Sequence, residues 1–165
     1  MVKRILPLLP VAAFPYMIWL VGRIDELLHI SPVLQIALFW LLGLAGAAAV
    51  FWQSLRGKWR GRRLALASML VKLFQVQNYV VLFLGGAGLG LLFPPIALFL
   101  WLLDVMTIFL TGLVGLAAVL RCRVEGGLTT KAAIVNGILQ FVFCADVFSA
   151  VWVYVKSRKK DIQRA

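Results

Sequence analysis

Five apolar runs, at residues 5–21, 33–52, 64–84, 96–120 and 132–155, fill almost the whole chain, and short segments between them hold most of its charge. A helix rises about 1.5 Å per residue, so each run is long enough, or nearly so, to cross a hydrocarbon core about 30 Å thick. The pattern predicts an all-α integral membrane protein: a bundle of five transmembrane helices forming one domain over residues 1–165. Pro7, Pro10 and Pro15 remove backbone donors from the first run and should kink or tilt it. The basic start at residues 1–4 and the small residues at 11–13 outline a secretory signal. The prolines interrupt it, and an uncleaved first helix is expected.

Composition points the same way. With 63% hydrophobic and 14% charged residues and a mean hydropathy of +0.99, too few polar side chains remain to cover a water-soluble globule. The net charge of +11 would suggest nucleic acid in a soluble chain. Here the basic residues lie in loops and tails between apolar runs, with no basic stripe interleaved with aromatics, so nucleic-acid binding is excluded and contact with anionic lipid headgroups is expected.

With five crossings, the N-terminus, the 53–63 loop and the 121–131 loop share one side, which carries more Lys and Arg than the other and is assigned to the cytoplasm. The C-terminus then lies outside, and its basic tail (Lys156, Arg158, Lys159, Lys160, Arg164) conflicts with the rule that orients the rest. Trp52 and Trp59 fall at the inner interface, and Trp19, Trp152 and Tyr154 at the outer one. Small multi-span proteins with basic loops are common in the bacterial cell membrane, and that is the location expected.

The chemistry is concentrated in polar residues inside the runs: Lys72, Gln75, Gln77 and Asn78 in the third, Asp104 in the fourth, and Asn136, Gln140 and Asp146 in the fifth. A charge at a helix centre costs about 2.5–3.5 kcal/mol on insertion scales, so these groups should face the bundle interior and find partners. Counted from the inner flanks, Lys72 and Gln140 lie about 13 Å deep, Asn78 and Asp146 about 22 Å and Asp104 about 25 Å. Lys72 should reach one of the two acids. At 100° per residue, Lys72, Gln75, Asn78 and Tyr79 share one arc of the third run, and Asn136, Gln140, Phe143, Val147, Ala150 and Tyr154 form a stripe on the fifth. Lys72, Gln75, Asn78, Asp104, Asn136, Gln140 and Asp146 are therefore the candidate intramembrane site, either as a solute or proton site or as a buried set that fixes helix register.

Other features carry less. The ridges Thr107–Thr111–Gly115 and Gly43–Ala47 let helices approach closely. The glycines at 86, 88 and 90 follow no strand and have no Lys partner, so they form no phosphate loop. Asp25, Glu26 and His29 read as a solvated loop rather than a metal site. Cys122 and Cys144 lie too far apart in depth to pair; Cys122, between Arg121 and Arg123, is a candidate for acylation but by default a free thiol. No hydrolase triad, HExxH motif or cofactor signature is present, so no cofactor is expected and an enzyme is disfavoured. The expected function is that of a non-catalytic accessory or regulatory membrane partner. The alternative is a small transporter or pore, which would need an oligomer because no internal repeat is visible.

Overall fold

The structure, a computed structural model, describes residues 5–17, 20–21, 30–90 and 92–164. All regular structure among them is helical: α1 (Leu8–Ala13) continued by a 3₁₀ turn (Phe14–Met17), α2 (Pro32–Leu55), α3 (Gly61–Gly90), α4 (Pro94–Val124), α5 (Thr130–Leu139) and α6 (Ala145–Arg164). Asp25, Glu26, His29 and Trp19 lie outside the described residues.

Sequence signals set the ends of the long helices. Pro32 occupies the first turn of α2, and the Ser31 hydroxyl accepts from Leu34 N. Gly57, at φ 71°, adopts the left-handed conformation that ends it. Pro94 and Pro95 open α4, and Gly126, at φ 72°, closes it, with Gly127 N donating back to Cys122 O at 2.7 Å. The Glu125 carboxylate accepts from Gly61 N at 2.8 Å, placing an anion at the N-terminus of α3 and tying the two basic loops together. Thr129 caps α5 by accepting from Ala132 N.

Helices α2, α3 and α4 are each long and apolar enough to cross a membrane. Their outward faces are apolar: Leu38, Leu41, Leu42, Phe74, Leu98 and Trp101 are exposed, a surface far more hydrophobic than water-facing helices present. The glycine-rich stretch after residue 84, beyond the end of the third apolar run, forms the last turns of α3. In apolar surroundings the backbone has no competing partner for its polar groups, which holds even glycines in the helix.

Of the five crossings expected, three have helices long and apolar enough among the described residues, and the first and fifth runs are interrupted. In the first run residues 8–17 form a six-residue helix followed directly by a 3₁₀ turn. Pro10 cannot donate to the Leu6 carbonyl, which accepts from Leu9 N instead, and Pro15 cannot donate to the Val11 carbonyl. This element packs against α2 where Gly46 has no side chain to obstruct the Pro7 carbonyl, and it buries Leu8, Val11, Phe14 and Met17 in the core.

The fifth run breaks at residues 140–144, with Cys144 at φ 61°. Its arms α5 and α6 fold back on each other: Asn136 and Ser149, on either side of the break, meet at 2.8 Å. The single stripe expected from Asn136 to Tyr154 therefore does not exist, because its members lie on opposite arms of a helical hairpin. Gly112 and Gly115 on α4 receive the tip, since a side chain at Gly112 would strike the Phe141 ring and one at Gly115 the Gln140 side chain. The small-residue ridge on α4 thus serves internal packing.

A non-glycine residue in the left-handed region costs about 1 kcal/mol or more. Cys144→Gly should stabilise the fold by about 1 kcal/mol, and Cys144→Val should destabilise it by more than that. Thermal unfolding in detergent checks both, as opposite shifts of the melting temperature.

Candidate functional site

Lys72 and Gln75 lie one turn apart on α3, and both side chains are wholly buried. Each is directed at a place where a neighbouring helix is broken. Lys72 Nζ donates to Asp146 Oδ2 at 2.8 Å and to the Gln140 carbonyl at 3.2 Å. Gln140 O is the acceptor that a continuous helix would have satisfied from residue 144, where the chain turns away. Gln75 Nε2 donates to the Val11 carbonyl at 3.1 Å, the acceptor left open by Pro15. Beside it the Tyr16 hydroxyl donates to the Phe74 carbonyl at 2.6 Å, and the two rings pack with centroids 4.9 Å apart. One face of α3 therefore supplies the donors that both interrupted segments lack.

The Lys72–Asp146 pair has no solvent-accessible side-chain surface on either partner. Asp146 lies in the first turn of α6, where a carboxylate also favours the helix N-terminus. The sequence placed these two residues in different layers by counting along an unbroken helix. Because α6 descends from the break, Asp146 returns to the level of Lys72. A relay then joins the arms of the hairpin: Gln140 Nε2 donates to Ser149 Oγ at 2.9 Å, Ser149 Oγ donates to Asn136 Oδ1, and Asn136 Nδ2 donates to the Ala132 carbonyl at 2.8 Å.

Five of the seven candidate residues (Lys72, Gln75, Asn136, Gln140 and Asp146) thus belong to the two junctions. Asn78 is buried one turn above Gln75, and its Nδ2 has no hydrogen-bond partner among the described residues. Asp104 stands apart: among the described residues it forms no ion pair, and it lines an open cleft between α3 and α4. Ser149, which links three polar groups, was not singled out in the sequence, where a lone serine in an apolar run carries no periodic signal. Glu125 was also missed; its place between two basic loops was the available clue. Among the described residues no group of three or more His, Cys, Asp or Glu could hold a metal ion. Cys122 is buried, which disfavours acylation, and Cys144 is exposed.

These features define an all-helical protein with three helices able to cross a membrane, built around a sealed ion pair between α3 and α6. The chain belongs to the family of unknown function DUF6652, whose model matches residues 60–159, from the start of α3 through most of α6. The matched region contains both members of the ion pair, Gln75 and Asp104. No curated protein and no solved structure matches the chain.

Removing one member of a buried pair leaves an uncompensated charge, so Lys72→Met should destabilise the fold by about 3–5 kcal/mol. Gln75→Leu, which leaves the Val11 carbonyl without a donor, should cost about 1–3 kcal/mol. Chemical unfolding in detergent measures both, and the Lys72 variant should lose the larger share.

Proposed function

We propose that this protein is a non-catalytic integral membrane protein that acts by binding, as an accessory or regulatory partner, rather than by turnover or transport. Helices α2, α3 and α4 cross the bilayer; the α5–α6 hairpin enters it without crossing. The observation that carries this reading is the sealed Lys72–Asp146 pair. A proton or solute path needs ionisable groups that water can reach and that change partners, whereas these two are fully enclosed and already committed to closing a break in the backbone.

The hairpin also removes the conflict over the basic tail. If α5 and α6 enter and leave on one side, then every Lys and Arg from residue 56 onward, apart from Lys72, lies on that side, and the α3–α4 turn opposite carries none. By the positive-inside rule that side is cytoplasmic, and the C-terminus is inside rather than outside. Trp152 and Tyr154 then approach the inner interface. Arg56 lies over the Trp52 ring at 4.7 Å and Lys156 over the Trp152 ring at 5.5 Å, an arrangement suited to an interface rich in anionic headgroups.

Single cysteines at positions 58 and 158, in a background lacking Cys122 and Cys144, test the arrangement with an impermeant maleimide. Both should be protected in intact cells and labelled after permeabilisation; labelling of position 158 alone in intact cells would refute the hairpin topology. Reconstituted into liposomes, the unaltered protein should give proton and solute flux no higher than protein-free vesicles.

A further inference from the structure

Two adjoining hollows, of about 220 and 440 Å³, open between α3, α4 and the hairpin tip and share Phe83, Trp101 and Asp104. The larger is the size of a small-molecule site. Its walls are aromatic: Phe83, Trp101, Phe109, Phe141 and Phe143 line it, and the rings support one another, with Phe83 stacked on Phe143 at 6.4 Å and Phe109 against Phe141 at 6.2 Å. The smaller continues along α3 past Gly86, where an added Cβ would meet nothing within 4 Å. Phe83 and Trp101, each 62% exposed, stand at the outer edge, so the cleft opens sideways, toward lipid in the reading proposed above.

Among the described residues Asp104 is the only ionisable group in these walls, about 15 Å along the axis from Pro94, and its buried Oδ1 has no hydrogen-bond partner among them. Among the described residues no cation pairs with it. Away from helix ends, Lys72 is the only basic residue in α2, α3 and α4, and it is enclosed against Asp146. For the same reason these helices of a second copy have no free cation to offer at that depth. A hard metal ion would need several oxygen ligands where there is one carboxylate. A carboxylate at the base of an aromatic cleft matches instead a cation whose body is apolar: the charge pairs with Asp104 while the rings supply contact area and cation–π attraction.

We propose that this cleft binds lipophilic cations, namely hydrophobic amines and quaternary onium ions, entering laterally between α3 and α4 with the positive centre at Asp104. The inference rests on α3 and α4 being membrane crossings. It is tested by equilibrium binding of tetraphenylphosphonium to the purified full-length chain in detergent. Saturable binding is expected, weakened at least tenfold by Asp104→Asn. Gly86→Leu, which fills the hollow without touching the charge, should also weaken it while the melting temperature stays at or above that of the unaltered protein. No saturable binding, or undiminished affinity in either variant, overturns the proposal. Whether the chain resists alkaline extraction from vesicles judges the membrane reading separately, so a chain that resists extraction yet binds no phosphonium refutes the cation site alone.

Discussion

A backbone carbonyl surrounded by hydrocarbon must find a donor within the protein, because an unsatisfied one costs several kcal/mol and no water is at hand. Three long helices meet this demand internally. The two interrupted segments cannot, and each leaves a carbonyl, Val11 O or Gln140 O, facing α3. Gln75 and Lys72 satisfy them from successive turns of one helix face. The charge on Lys72 requires a further partner, which Asp146 provides from the start of α6. The polar residues that look costly in the sequence are thus the means by which a broken backbone is held in an apolar setting.

Much of the helical layout was legible because apolar runs and their caps are strong local signals: Ser31–Pro32 and Pro94–Pro95 mark helix starts, and Gly57 and Gly126 mark ends. The first break was legible in part, since Pro7, Pro10 and Pro15 announce it. The second was not. Residues 140–144 read Gln-Phe-Val-Phe-Cys, with neither glycine nor proline, and Cys144 takes a conformation that local propensity disfavours. What decides the break is tertiary: Gly112 and Gly115 make room on α4, and Lys72 receives the freed carbonyl. Counting residues along an assumed single helix then placed Asp146 away from the level of Lys72 and joined residues of two arms into one stripe.

The candidate site accordingly separates into parts with different chemistry. The junctions at Lys72 and Gln75 are closed and hydrogen-bonded, and they account for the packing of α3 against the hairpin and α1. Asp104 takes no part in them. The hairpin break places Phe141 and Phe143 opposite Phe83 and Trp101, so the feature that disrupts the fifth run also builds the wall of the cleft in which Asp104 sits. The packed core and the aromatic cleft thus share one cause, the fold-back at residues 140–144.

That fold-back is most directly tested by the distance between the ends of its arms. Spin labels at the exposed positions 131 and 158, in a background lacking the native cysteines, would be about 40 Å apart along one continuous helix. In a packed hairpin, whose helix axes lie about 8–10 Å apart, pulsed electron paramagnetic resonance should give a distance below about 25 Å, allowing for the label arms. A distribution centred near 40 Å would contradict the account.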